Sequence, residues 1–265
     1  MEIRPIRRSS GRRDSLAALK STRIHFYASE IGDQMSEDHR TSKVEKPTRF
    51  IGAEGVVHQV FHDAYRDSSA SWVTGRPQPA VMTALSRGWF NVGPLLDLGC
   101  CTGENAAAIA AARDDLLILG IDVVPQAVDR ARSVIAAASL TDRVRLEVAD
   151  LRDFTPAESF GTVLDAGVLH VFSDQDRADY LEMVARAVRP GGAAIFIEFS
   201  DAETRPLGPR RIARDEMTSA LVRAGFVIDS IEPARYETAV HPGGAAAWLV
   251  RAIRRVPPPV GSRFS

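Results

Sequence analysis

Four aspartates, Asp97, Asp122, Asp150 and Asp165, each close an apolar stretch in the middle of the chain. One carboxylate at a strand end is ordinary, but four in succession define an edge of the molecule. Around the first, the sequence reads "LLDLGCCTGENAAAIAA" (95–111): an apolar run carrying Asp97, a turn bearing Gly99 and Gly103, then an Ala-rich helix. A helix that starts straight after such a turn leaves backbone N–H groups free, and with the helix dipole they favour anionic or hydroxyl oxygens. Asp122 follows about twenty residues later, the spacing at which a strand-end carboxylate meets a ribose diol. It can accept two charge-assisted hydrogen bonds, each worth about 1.5–3 kcal/mol. His170, in "GVLHVF", stands just past the fourth strand, where a neutral imidazole could take a proton from a hydroxyl or could simply be packed. His58 and His62 have the i, i+4 spacing of a metal pair, but no nearby Asp, Glu or Cys completes a set, so no metal is expected.

The elements that position these residues alternate. "AEGVVHQVFHDAYRDS" places Val57, Phe61 and Tyr65 at helical spacing, and "PQPAVMTALSRGWF" forms a second helix with Pro near its start. Phe61, Tyr65 and Phe90 read either as core or as the wall of an aromatic pocket. Strands follow at 95–98, 116–124 and 143–150 and in "SFGTVLDAG", with helices at 104–113, from Pro125, and in "DQDRADYLEMVARAVR". "PGG" (190–192) is expected to break that last helix before the buried strand "AAIFIEFS". A helix "RDEMTSALVRAG" then leads to "FVIDSIEPARYE" and "AAWLVRAIRR", an antiparallel pair at the sheet edge. The basic stretch "GPRRIARDE" (208–216) reads as a solvated turn, with contact to an anionic ligand as the other reading. Alternating β and α elements with near-continuous apolar strands predict an α/β fold: a doubly wound, mostly parallel seven-stranded sheet with an antiparallel edge strand.

The 265 residues, 45% of them hydrophobic, can fill one globular core, and no apolar run reaches the length of a bilayer span. A formal charge of −1 gives no reason to expect nucleic acid as the main partner, and no membrane partner is expected. The cysteines, Cys100 and Cys101, are adjacent, which excludes a disulfide framework and a spaced zinc site; a reducing cytoplasmic setting follows. Residues 1–23 hold seven Arg or Lys against two acids, so 1–49 is expected to be a basic disordered extension, with a transit peptide or a true start at Met35 as alternatives. The expected organisation is this extension, a domain over 50–256 with a helical cap over about 52–90, and a loose tail over 257–265.

Two ligands suit the turn at 99–103, a dinucleotide and an adenosyl sulfonium. The dinucleotide fingerprint G-x-G-x-x-G, counted from Gly99, meets Cys101 and Glu104 where glycines belong. NAD is therefore the poorer fit.

Taken in order, "LLDLGCCTGE", "GIDVVPQAVDRAR", "LEVADLRDF", "FGTVLDAGVLHVF" and "VRPGG" resemble the successive motifs of class I S-adenosylmethionine-dependent methyltransferases, over about residues 72–255. "WVTGRPQPAV" and "DAGVLHVFSDQDRADY" resemble the thiopurine, thiol and halide methyltransferase branch, with its bacterial relatives acting on phenols, quinones and heterocycles. The resemblance implies a Rossmann-like fold, S-adenosylmethionine as cofactor with S-adenosylhomocysteine as product, and no metal. It places Asp97 and Gly99 at the methionine part, Gly103 and Glu104 at the helix start, and Asp122 at the ribose with Val123 on adenine. Asp150 and Leu151 would meet the adenine, Asp165 and Gly167 the methionine amine and methyl, and Trp72 would close over the cofactor. Cys101 departs from the family's D-x-G-x-G-x-G turn; its side chain must point away from the cofactor. Methyl transfer to a small-molecule O, S or N acceptor, aromatic or heterocyclic, is the expected activity, with thiol or halide methylation next. An NAD-dependent oxidoreductase or a catalytically silent cofactor-binding scaffold would keep the same fold.

Overall fold

The computed structural model describes residues 55–257. The extension expected over 1–49 lies outside them, as does the tail beyond Pro257. The elements run α1 (His58–Arg66), α2 (Pro79–Ser86), β1 (Leu95–Leu98), α3 (Glu104–Ala112), β2 (Ile118–Asp122), α4 (Pro125–Ala137), β3 (Val144–Val148) and β4 (Phe160–Ala166). A single 3-10 turn (Leu169–Val171) precedes α5 (Asp176–Ala187), β5 (Val188–Phe199), α6 (Arg214–Arg223), β6 (Phe226–Thr238) and β7 (His241–Arg254).

All seven strands join one sheet in the order β3-β2-β1-β4-β5-β7-β6. β1 to β5 are parallel, while β7 runs antiparallel to both neighbours, so the antiparallel pair at the sheet edge is there with β7 on its inner side. The strand order reverses between β1 and β4, and the crevice outside the carboxyl ends of those strands is where such sheets hold ligands.

Period two along each strand sends successive side chains to opposite faces. Leu95 packs in the layer beneath α2, α3 and α4, with Val81, Ile109 and Val128. Leu96 and Leu98 pack on the other face, with Leu181 and Val184 of α5 and Leu221 of α6. Each such fully buried leucine contributes about 1.5–3 kcal/mol relative to exposure. Small side chains set the closest helix approach: Gly103, at φ +87°, sits so near α4 that a Cβ there would lie 3.0 Å from the Cβ of Ala131. Pro125 opens α4 at its first turn, where a missing N–H costs no helix bond.

The "PGG" segment behaves otherwise than expected. α5 ends at Ala187 and β5 begins at once with Val188, so residues 189–192 bulge inside the strand instead of separating helix from strand. The pairing steps from Phe160↔Val188 to Thr162↔Ala193, which absorbs the extra length. Among the described residues no helix is long and apolar enough to cross a membrane.

Candidate active site

A cavity of about 300 Å³ opens at the carboxyl ends of the parallel strands. One end is formed by the turn after β1. Gly99 has φ +60°, and a Cβ there would meet Val168 Cγ2 at 2.5 Å, so glycine lets the turn pack closely against the segment after β4. Cys101 also lies in the left-handed region, at φ +53°. Its N–H donates to Asp122 Oδ2 at 3.0 Å, and the N–H of Val124 donates to Asp122 Oδ1 at 2.9 Å. A carboxylate offers about four lone-pair directions, so each oxygen keeps one for a diol. Burial raises the Asp122 pKa, and the backbone N–H groups oppose that rise.

The Cys101 side chain turns toward α1, as the departure at this position requires: Sγ lies 2.9 Å from the hydroxyl of Tyr65. Trp72 Nε1 donates to the same hydroxyl at 3.3 Å, and Phe61 packs edge-on to Trp72 at 5.8 Å between ring centroids. Phe61, Tyr65 and Trp72 thus wall the cavity, whereas Phe90 is fully buried in the core. Past β3, Asp150 and Leu151 complete this end. Arg152 grips the Asp150 carboxylate at 2.9 Å, and His58 Nδ1 stands 3.5 Å from it. Burial would raise the Asp150 pKa, but the hydrogen bonds from Arg152 outweigh it and hold the group low. Among the described residues no group of three or more His, Cys, Asp or Glu side chains is placed to hold a metal ion.

The sequence-expected residues divide. Trp72, Gly99, Asp122, Val123, Asp150, Leu151, Gly167 and His170 line the cavity. Gly103 serves the packing of α3 on α4 instead. Asp165 falls on the α5 face of β4, where it accepts from the N–H groups of Val168 at 2.7 Å and Leu169 at 3.1 Å and from Tyr180 at 2.8 Å. Its carboxylate therefore braces the turn after β4 from below and does not border the cavity, a correction to the expected place beside a ligand amine. Asp97 is also buried behind the turn, 1% exposed, with Oδ2 unpartnered. Burial, then Asp122 and Asp165, push its pKa up to about 8.

The other end of the cavity went unread in the sequence apart from His170. Phe199 of β5 and Tyr236 of β6 line it, and the Tyr236 hydroxyl donates to the carbonyl of Ala166 at 3.0 Å. Its roof is the segment between β5 and α6, which holds Leu207 and Pro209. Glu203 anchors that roof through Arg205 at 2.5 Å and the N–H of Ala246 at 2.9 Å. Hydrogen bonds from Arg205 keep Glu203 far below the usual carboxylate range. Arg211 donates to the carbonyls of Glu203, Arg205, Leu207 and Pro209, and Arg210 pairs with Asp174. The basic stretch is thus an internal brace, not a solvated turn, because the looping backbone needs donors for its carbonyls.

Residues 95–192 match the family described as "Methyltransferase domain". A 2-heptyl-1-hydroxyquinolin-4(1H)-one methyltransferase of Mycobacteroides abscessus is 30% identical over 189 residues, covering 68% of this chain and 81% of that protein. The chain belongs to the class I S-adenosylmethionine-dependent methyltransferases. A probable thiol methyltransferase of Arabidopsis thaliana is 24% identical, covering 63% of this methyltransferase and 74% of the plant protein. A structure solved for the conversion of a disulfide bond into a thioacetal group during echinomycin biosynthesis superimposes with a TM-score of 0.65 at 29% identity, over 75% of this chain and 93% of that one.

The methyltransferase's own residues fit its cofactor. Gly99 lines the cavity at φ +60°, Asp122 keeps acceptor capacity for a diol, and the buried Asp97 carboxyl behind the turn keeps one oxygen unpartnered. The degraded glycine pattern argues against a pyrophosphate at the same turn.

Proposed function

We propose that this enzyme methylates an oxygen, sulfur or nitrogen of a small aromatic or heterocyclic molecule. The observation that carries the reading is the single cavity shared by the cofactor turn and an aromatic chamber of His170, Phe199 and Tyr236. On this reading Asp122 binds the ribose, Val123 and Leu151 sandwich the adenine, and Asp150 borders its edge. Gly99 and Gly167 flank the methionine part, with the Asp97 carboxyl behind the turn. α1 and α2 form the cap of a domain spanning about 50–256, with Trp72 over the cofactor.

Bound S-adenosylmethionine supplies a methyl group already activated by the positive sulfur. The protein then has to hold the acceptor in line and keep water out, and positioning alone can supply several kcal/mol of the barrier, about 7–11 in the best model reactions. Aromatic faces of Phe199 and Tyr236 orient a flat acceptor. His170 serves as general base for an acceptor that carries a proton.

The M. abscessus relative acts, by its name, on a hydroxylated quinolone, a flat heterocycle of the kind this chamber suits. The plant thiol methyltransferase supports a sulfur acceptor as the second reading. A halide has no proton to give, so the buried His170 favours either of these over halide methylation.

The test is calorimetric titration with S-adenosylhomocysteine, NADH run in parallel, then turnover against hydroxyquinolones, phenols, thiols and iodide. Binding of the first ligand only, with methylation of a flat hydroxyl or thiol acceptor, is expected. Tight NADH binding, or iodide as the best acceptor, would overturn the reading.

A further inference from the structure

Behind the acceptor chamber three ionisable side chains are stacked out of water. Asp165 and Glu198 are 0% exposed and His170 is 5% exposed. Glu198 Oε2 lies 2.8 Å from His170 Nδ1 and accepts the backbone N–H of His170 at 3.1 Å. The backbone N–H of Phe199 donates to Nδ1 at 3.3 Å, a bond Nδ1 can accept only while it holds a lone pair; an ionised Glu198, nearer at 2.8 Å, competes for Nδ1 by accepting from it instead. The imidazole stands edge-on to Phe199 at 5.1 Å and to Tyr236 at 6.1 Å between centroids, which fixes its plane. With Nδ1 engaged, Nε2 is the ring nitrogen left for the cavity that His170 lines.

We propose that Glu198 is a positioning residue that holds the proton of His170 on Nδ1 and so presents Nε2 to the acceptor as the general base. The inference rests on the methyl-acceptor reading above and extends it to a residue that never touches substrate. A carboxylate accepting from Nδ1–H selects the tautomer whose other nitrogen carries the lone pair. In the step, the acceptor X–H gives its proton to Nε2 while the X–CH₃ bond forms, and the electron pair of the breaking S–CH₃ bond stays on sulfur. The imidazolium so formed is stabilised by the Glu198 carboxylate and returns its proton to water as product leaves.

The groups facing this pair are Asp165 of β4, Tyr180 of α5, Tyr236 of β6 and Arg211 of the roof segment. Burial, then the neighbouring Glu198, push Asp165 well above the carboxylate range. Burial pushes Glu198 up to about 8 and His170 down to about 4. The imidazole is thus neutral across the assay range, and the base-competent form, which needs the Glu198 carboxylate, fills as pH rises through about 8.

The experiment uses the full chain and Glu198→Gln, with phenols of graded acidity and a thiophenol that is ionised at assay pH. Glu198→Gln is expected to lower kcat about 100-fold for a weakly acidic phenol and to erase the rise in kcat toward pH 8. The ionised thiophenol should stay within about threefold of wild type and S-adenosylhomocysteine affinity should not change. In the wild-type protein above about pH 8, where Glu198 is ionised, ¹⁵N spectra of the imidazole should show the Nδ1–H tautomer of His170. An Nε2–H tautomer in the wild type at that pH, or equal losses for phenol and thiophenol, overturns the assignment to Glu198. No turnover with any acceptor while S-adenosylhomocysteine binds overturns the methyl-acceptor reading, and the wild-type spectrum then judges the proton placement by itself.

Discussion

The thiol of Cys101 and the hydroxyl of Tyr65 meet at 2.9 Å, joining the cofactor turn to the helix that caps it. Burial pushes the Cys101 pKa up to about 12, so this is a neutral thiol acting as a hydrogen-bond partner and not a nucleophile. The same hydroxyl accepts from Trp72, so one oxygen ties turn, cap helix and lid together. Tyr65→Phe leaves the Trp72 N–H without that acceptor, at a cost of about 1–3 kcal/mol. We expect KM for S-adenosylmethionine to rise several-fold with kcat little changed; an unchanged KM in steady-state kinetics would remove the latch from the account.

Cys101 itself holds a backbone angle that costs a non-glycine residue about 1–2 kcal/mol. Cys101→Gly relieves that strain while losing the Tyr65 contact, so its stability should stay within about 1 kcal/mol of wild type. Cys101→Val, branched at Cβ in the same region, should lose about 2 kcal/mol or more. Urea unfolding of the two variants gives the comparison.

Asp122 accepts from Cys101 and Val124 as well as facing the cavity. Asp122→Ala is expected to weaken S-adenosylhomocysteine binding by about tenfold or more, equivalent to about 1.4 kcal/mol. Asp122→Asn, which keeps one carbonyl oxygen, should lose less. Calorimetry on variants whose circular dichroism matches wild type makes the measurement; equal affinity for all three would remove the ribose role.

Asp97 has a pH signature whose sign can be worked out. Its carboxyl titrates near 8 when folded and near 3.8 when free, so between those values the folded chain holds a proton that the unfolded chain releases. Stability from this group is complete below about 4 and is lost as pH rises through about 8. Asp97→Asn removes the penalty, so its stability relative to wild type should improve from pH 4 to pH 8, by an amount on the order of 1 kcal/mol or more. S-adenosylhomocysteine should bind it less tightly above about pH 8, where the wild-type carboxyl is ionised and can attract the ligand's ammonium. Parallel unfolding curves at several pH values would contradict this.

Arg211 holds the roof by its carbonyl bonds. Arg211→Ala should raise KM for the acceptor far more than KM for S-adenosylmethionine, since the roof borders only the acceptor end. A uniform rise in both would point to general destabilisation.

Much of this architecture is legible in the chain. Alternating elements, Pro125 at a helix start and the apolar run at 95–98 give the sheet and its carboxyl edge, because local propensity and periodicity act over a few residues. The order of motifs gives the family and therefore the cofactor. Which side of the sheet a strand-end carboxylate takes is not legible. The central strands are buried on both faces, so no alternation marks the face. Asp165 and Asp122 look alike in sequence, yet one braces a turn beneath the sheet and the other borders the cavity.

Apart from His170, the aromatic end of the cavity is decided by tertiary structure. Glu198 meets the backbone of His170 from 28 residues away, Tyr236 meets Ala166 from 70, and Glu203 meets Ala246 from 43. Glu198, Glu203, Tyr236 and Ala246 sit in no motif, and each lies in a stretch whose local pattern says only strand or loop. Burial is what turns them into a site: once the sheet closes over them, an unpaired polar group is costly, and each is held to its partner by that cost. The chain thus carries the turn after β1 in contiguous residues, while the aromatic end of the cavity exists only where the antiparallel pair and the roof fold back over β4 and β5.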